Sequence, residues 1–457
     1  MTKEPIKTRF FGIHDLERLP PLQALSPADR HAMAVVAHVL PFRTNNYVVE
    51  DLIDWSRVPD DPIFHLTFPQ PGMLAPEHFR RMEAALAEGL GKAELKAVAD
   101  RIRLEMNPHP AGQKALNVPK LDDAPVPGVQ RKYRETALVF PARGQTCHAY
   151  CTFCFRWPQF VGLGDLKFAT DESQRFAAFI KREKHLTDVL FTGGDPLVMR
   201  TEMLASYVDA ILAPGFEHIR TVRFGTKSVS YWPQRFVSDP DADELLRLFE
   251  RVVASGRHVA IMGHYNHPAE LSTPVAREAV RRIRGTGAEL RTQSPLIRHI
   301  NDDPQVWAEL WRTQVNLGCI PYYMFVERDT GAQRFFGVPL ARAHQIYQAA
   351  FQQVSGLART VRGPSMSAMP GKVAVDGVAE IRGEKVFVLS FLQGRNPDWV
   401  KRPFFARYNP RAMWLDDLDP AFDDERFFYE DELEDMAVRA HARAVVKLHP
   451  AHHEPVH

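Results

Sequence analysis

The chain has 457 residues, 45% hydrophobic and 25% charged, an ordinary globular balance that excludes global disorder and leaves room for two or three domains or one enlarged α/β barrel. Lys and Arg number 57 against 56 Asp and Glu, and a net charge of +1 gives no bulk electrostatic reason to coat nucleic acid or an anionic membrane. No apolar run approaches the roughly 20 residues that cross a bilayer, and Met1-Thr2-Lys3-Glu4-Pro5 lacks the basic and apolar parts of a secretory signal, which predicts a cytoplasmic protein with no membrane partner.

In chain order, residues 1–130 predict an N-terminal helical cap and extended segment. Apolar residues recur at helical spacing through 51–55 and 76–106, notably Phe79, Met82, Leu86 and Leu90. The proline-rich stretch 107–128 reads as irregular chain. From about 135, short apolar runs at 137–141, 189–191, 221–224, 259–262, 290–296 and 320–325 alternate with amphipathic stretches at 172–182, 241–255, 274–284, 305–315 and 341–354. That alternation predicts an α/β fold over 131–363. Six units suggest a partial (βα)6 TIM-like barrel, although a doubly wound sheet alternates in the same way.

Beyond residue 364 a C-terminal region begins with a β-hairpin, 373–378 and 386–391, around Arg382-Gly383-Glu384. An acidic-aromatic segment from Trp414 to Glu430 reads as a lid, an oligomer contact or ordinary surface, and 436–447 as a basic helix. His449, His452, His453 and His457 are candidate metal ligands, with a surface tail as the plainer reading.

Four cysteines cannot make a disulfide scaffold, and three crowd into Cys147-His148-Ala149-Tyr150-Cys151-Thr152-Phe153-Cys154. Thiolates are soft ligands, and three in one loop suit an iron–sulfur cluster or zinc. Cys319 lies beside an apolar run and reads as a buried small hydrophobe. Further on, the strand-like run 189–191 leads into Thr192-Gly193-Gly194-Asp195-Pro196-Leu197, where adjacent glycines permit close backbone approach.

The Cys-x3-Cys-x2-Cys spacing after a first strand resembles the radical S-adenosylmethionine (SAM) superfamily. Arg156, the Gly193-Gly194 segment, His264-Tyr265-Asn266-His267-Pro268, Gln293 with Leu296-Ile297-Arg298, Asn301-Asp302 and Pro321-Tyr322-Tyr323 resemble its lysine 2,3-aminomutase family more narrowly, from about 128 to 372, with 107–119 similar to the family's entry segment. The resemblance implies a radical SAM type of partial barrel with N- and C-terminal extensions. It also implies a [4Fe-4S] cluster on Cys147, Cys151 and Cys154, whose open iron chelates SAM. Gly193, Gly194, Asp195, His264 and Gln293 would contact SAM, and Arg156 would pair with a substrate carboxylate. Asn266 and His267 have the alternative of holding their loop together.

That family also binds pyridoxal phosphate (PLP) on a lysine preceded by a glycine run and an Asp. Here 365–372 keeps only Pro370, Gly371 and Lys372, which makes Lys372 the candidate PLP-binding and catalytic residue. In lysine-acting members two carboxylates receive the remote ammonium. Here Glu327 and Asp329 both match the first, Arg328 between them repels an ammonium, and the second is missing.

A substrate other than L-lysine follows, shorter, apolar or acidic, with Arg334 as a candidate for a second carboxylate. The expected activity is an aminomutase moving an amino group between adjacent carbons of a small amino acid, served by an external electron donor such as flavodoxin or ferredoxin, in a self-associating chain. The alternatives are a PLP-independent radical SAM enzyme taking hydrogen from another small molecule, and a non-catalytic metal-stabilised barrel. Local charge at Arg131-Lys132 and Lys401-Arg402 is too sparse for a nucleic-acid surface.

Overall fold

Apolar residues that alternate along short runs need a sheet with two covered faces, and the chain supplies one. A computed structural model describes residues 7–107, 116–161, 169–170 and 173–445, the side chains of 440–445 aside. The tail histidines and residues 108–115 of the entry segment lie outside them. The strands of the main sheet are β1 (Val129–Tyr133), β2 (Thr136–Val139), β3 (Asp188–Phe191), β4 (Thr221–Thr226), β5 (His258–His264), β6 (Glu289–Leu296), β7 (Ile320–Val326), β8 (Arg362–Ser367), β9 (Gly371–Ile381), β10 (Glu384–Gly394) and β11 (Pro403–Arg407).

Order along the sheet follows order along the chain, from β1 to β11. Strands β2 to β8 are parallel, β1 pairs antiparallel with β2, and β9 to β11 extend β8 as an antiparallel meander. A doubly wound sheet requires a reversal of strand order, and none occurs. Right-handed crossovers in one direction place their helices on one face. Helices Ser173–Arg182, Thr201–Leu212, Ala242–Ala254, Pro274–Gly285, Pro304–Asn316 and Leu340–Gln352 accordingly share one buried cluster with Val139, Phe191, Phe224, Ile261, Leu290 and Met324 of the strands. Among the described residues no ladder joins β1 to β11, so the fold is α/β with a large, mixed and open sheet.

Strand β8 escapes a sequence reading because Gly363-Pro364 looks like a break. Its register with β7 shifts between Tyr323 and Phe325, and an irregular ladder tolerates a residue without an N–H. The hairpin is where the pattern predicts it, with Arg382 and Gly383 at φ 54° and 78°, a left-handed pair that matches strand twist. The acidic-aromatic segment turns its large apolar side chains inward and leaves most of its acids exposed. Trp414, Leu415, Leu418, Phe427 and Tyr429 bury against Phe391 and Phe404 of the meander, because rings of that size contribute most when removed from water.

The N-terminal residues cover the mouth of the sheet. Helix Pro27–Val39 adds to Pro76–Ala87 and Lys92–Glu105, the last two separated at Gly89, whose φ of 68° suits a helix C-terminus. Backbone N–H groups of Tyr150 and Thr152 donate to the carbonyls of Arg43 (2.8 Å) and Leu66 (3.0 Å). Asn45 Nδ2 donates to the His148 carbonyl at 3.1 Å. Phe153 and Trp157 join the buried cluster of these N-terminal helices. Among the described residues no helix is long and apolar enough to cross a membrane.

Candidate active site

The expected site residues gather at the C-terminal ends of β2 to β7 and on β9. After β3 the Gly193-Gly194 pair packs on the cysteine loop. A Cβ on Gly194 would fall 2.5 Å from the Thr146 carbonyl oxygen and 2.6 Å from its nitrogen. Glycine is therefore required here by contact with the chain's own backbone. Overpacking of this kind costs about 1–3 kcal/mol, so Gly194→Ala is expected to lower the unfolding free energy by that amount, seen as a lower urea midpoint with an unchanged m-value. Wild-type stability in that variant would show that the loop moves aside freely.

Asp195 is buried, and its carboxylate is engaged by the chain itself. It accepts from Leu197 N (2.9 Å), Thr226 Oγ1 (2.7 Å), Lys227 N (2.8 Å), and Ser228 N and Oγ (both 2.9 Å). Next to it Lys227 forms a buried ion pair with Glu270 at 2.5 Å and donates to Asn266 Oδ1 at 2.8 Å. Glu270 accepts from His267 N at 2.9 Å. Asn266 and His267 thus hold their loop. His264 at the end of β5 is the register partner of Gln293 within β6. The His264 Nε2 is buried with no hydrogen-bond partner, and burial holds its pKa well below the usual value, so the imidazole is neutral.

The cysteines correct the expectation of an iron–sulfur, metal-binding centre. Cys147, Cys151 and Cys154 share a partly exposed loop and all three thiols are free. Yet among the described residues no group of three or more His, Cys, Asp or Glu side chains could hold a metal ion. Desolvation pushes the Cys147 thiol well up, Cys151 to about 11 and Cys154 to about 12. A [4Fe-4S] cluster does not fit these residues, and the open iron expected to receive SAM goes with it. Cys319 is buried, as read from the sequence.

Arg156 follows the loop, with its guanidinium carbon 4.5 Å from the Phe140 ring centre and 5.0 Å from that of Phe155. Burial draws it down to about 10. Glu327 is buried, and that burial raises its carboxyl well above the ordinary range against the pull of Arg328. Asp329 lies 3.7 Å from Arg328. Neither acid offers a free charge to an ammonium. Arg334 is exposed, on the short helical turn Gln333–Phe336.

Lys372 lies on β9 opposite Ser367 of β8. Its Nζ is 4.0 Å from the Tyr323 ring centre and 5.4 Å from that of Phe325. Burial first, then the charges of Arg223 and Arg362, bring its pKa down to about 7. A neutral amine against aromatic faces, with cations close by, fits a planar aldehyde that carries a phosphate. Sequence reasoning missed two of the neighbouring cations. Lys132 on β1 lies in the field of Arg395, Arg328 and Lys372, and burial and those charges hold it well below its usual pKa. Arg395 donates to Asn117 Oδ1 at 2.7 Å. Neither carries a local motif, and only the pairing of β1 and the return of β10 bring them in.

Comparison with known proteins agrees with the family resemblance. The "Putative L-lysine 2,3-aminomutase" of Aquifex aeolicus is 29% identical over 396 residues, covering 87% of this chain and 92% of that protein. The L-lysine 2,3-aminomutase of Clostridium subterminale is 28% identical over 234 residues, 51% of this chain and 53% of that one. No family model matches. Among solved structures, Streptococcus suis SuiB bound to its precursor peptide SuiA is weakly similar, with a TM-score of 0.33 and 9% identity over 60% of this chain and 56% of that one. The chain is a distant homologue of the L-lysine 2,3-aminomutases, with general similarity to radical SAM and aminomutase enzymes.

Proposed function

We propose that the chain is an enzyme related in reaction class to the aminomutases, acting on the amino group of a small amino acid other than L-lysine through PLP carried on Lys372. The observation that carries this reading is the amine itself, desolvated beside Tyr323 and drawn down to about 7 among cations. Bound there, PLP would supply an electrophilic carbonyl for the substrate amine and a ring that delocalises electrons.

The protein's own part is to bind and orient. Lys372 provides a neutral amine without a separate base, Tyr323 and Phe325 would flank a bound PLP, and the surrounding cations would hold its phosphate. Arg156 offers a planar pair of donors to the substrate α-carboxylate. The N-terminal helices over the mouth keep water out. Homology to proteins named L-lysine 2,3-aminomutase supports the reaction class. Glu327, whose burial disfavours its charged form, and the Arg328-bound Asp329 argue against a lysine ammonium, since a buried ammonium needs a charged partner.

Incubation with PLP followed by borohydride reduction is expected to leave a pyridoxyl group on the peptide that contains Lys372, and Lys372→Ala is expected to abolish it. The labelling rate should rise as pH increases towards about 7 and then level off. The neutral amine is the nucleophile, and an ordinary lysine would keep gaining until about pH 10.4. Label on other lysines only, or a rate still climbing at pH 9, would overturn the proposal.

A further inference from the structure

The face of the sheet away from the helices also carries charge below the mouth, in the N-terminal halves of its strands. Val222, Phe224, Leu290 and Val361 belong to the cluster shared with the helices, so their neighbours Arg223 on β4, Arg291 on β6 and Arg362 on β8 point the other way. Acids answer Arg223 and Arg291. Arg223 and Asp188 pair through Nε to Oδ1 at 2.8 Å and Nη2 to Oδ2 at 2.7 Å, and Arg291 Nη2 meets Glu289 Oε2 at 2.8 Å. Arg362 is half-buried, and among the described residues its guanidinium has neither a hydrogen-bond acceptor nor an acid. It rests on the rings of Tyr322 and Tyr323, its carbon 4.3 Å from each centre.

Lys372 Nζ lies 4.0 Å from the same Tyr323 centre. The amine and the Arg362 guanidinium are therefore no farther apart than these two ring distances together, a span that the aldehyde carbon and the phosphate of one PLP molecule can bridge. The cations nearer the mouth are engaged by the chain itself. Arg328 faces Asp329 at 3.7 Å, lies in the field of Asp416 and donates to the Ser367 carbonyl at 3.4 Å. Lys132 donates to the Ala368 carbonyl, and burial disfavours its charged form. Arg395 donates to the Met369 carbonyl at 2.8 Å and to Asn117 Oδ1 at 2.7 Å. Those contacts hold the turn that presents Lys372. Arg156 also lacks an acid, but it packs on Phe140 and Phe155 and shares no ring with Lys372.

We infer that Arg362 binds the phosphate of the cofactor, so that PLP enters phosphate first, with its ring beside Tyr323 and its aldehyde at Lys372. This rests on Lys372 as the cofactor's anchor. The phosphate then sits inside the sheet, below the turn of residues 367–370, and the space towards Arg156 is left to the substrate. A guanidinium suits the task because its planar donors match two phosphate oxygens at once.

Borohydride trapping at about pH 9, where the neutral amine of Lys372 predominates, tests this with PLP and 5′-deoxypyridoxal, an aldehyde of the same ring without the phosphate. Each is used on the full-length chain below saturation, and each rate is divided by that aldehyde's rate with free Nα-acetyl-lysine. Wild-type Lys372 is expected to take PLP at least about tenfold faster, since hydrogen bonds to charged groups are individually strong. Arg362→Gln should bring that preference below about threefold and change 5′-deoxypyridoxal labelling by less than about threefold, a selective loss that a packing defect does not produce. Arg362→Lys, which keeps a charge without the paired donors, should recover part of the preference. Equal rates for the two aldehydes in wild type, equal loss of both in Arg362→Gln, or a preference that persists in Arg362→Gln overturns the inference. Label on the Lys372 peptide without phosphate preference rejects this inference alone, and no label there with either aldehyde rejects the anchor.

Discussion

Replacing Glu270 with alanine is expected to cost about 3–5 kcal/mol of folding stability, the loss typical when one partner of a buried ion pair is removed. The side chains of Lys227 and Glu270 are 8% and 0% exposed, so water cannot take the place of the lost carboxylate. Lys227 Nζ would keep only Asn266 Oδ1 at 2.8 Å, the His264 carbonyl at 3.3 Å and the Tyr231 ring at 4.5 Å, none of them charged. The backbone N–H groups of Asn266 and His267 would lose their acceptor as well. Glu270→Gln should cost less, because it keeps an oxygen acceptor. Lys227→Met combined with Glu270→Leu should also cost less than Glu270→Ala alone, because no lone charge remains. Urea unfolding of wild type and these three variants checks the ranking. A loss below about 1 kcal/mol for Glu270→Ala would mean that the pair behaves as a hydrated one.

Asp195→Ala is expected to cost about 3–4 kcal/mol, because buried donors left without an acceptor each carry a desolvation penalty. Its carboxylate ties the turn after β3 to the end of β4 through Leu197, Thr226, Lys227 and Ser228. Asp195→Asn should fall between wild type and alanine. The hydroxyls of Thr226 and Ser228 can rotate to accept from an amide, but the backbone N–H groups of Lys227 and Ser228 cannot. A midpoint shift at constant m-value would confirm a stability effect without loss of two-state behaviour. Alanine and asparagine of equal stability would contradict this division of labour.

Much of the sheet is legible in the sequence because β3 to β7 are short apolar runs between amphipathic stretches. The runs read at 189–191, 221–224, 259–262, 290–296 and 320–325 all lie within observed strands. Strands β1, β8 and β11 are not legible. Val129–Tyr133 is mostly polar, Arg362–Ser367 contains Gly-Pro, and Pro403–Arg407 is five residues beginning with proline. Their strand character comes from tertiary pairing rather than local preference.

The site divides in the same way. Lys372 stands out through the two residues before it, and the strand ends mark His264 and Gln293. The cysteine spacing suggested a metal centre, but spacing along a chain does not fix whether thiols are ionised or how they point. Asp195 looks like a ligand contact in sequence because nothing local reveals that Thr226, Lys227 and Ser228, thirty residues on, already occupy it. The inward set of Lys132, Arg328 and Arg395 draws on β1, the loop after β7 and the end of β10, three places that no local window joins.

The meander of β9 to β11 also sets a timetable for biosynthesis. The parallel strands and the six helices between them emerge from the ribosome before residue 371, and N-terminal units generally fold first. Strand β9 is held between β8 and β10, so its amine is fixed only after residues 384–394 have emerged and paired. A nascent chain can therefore assemble most of its interior while Lys372 is still unplaced, and on the function proposed above the loading of a cofactor there would be one of the last events of maturation.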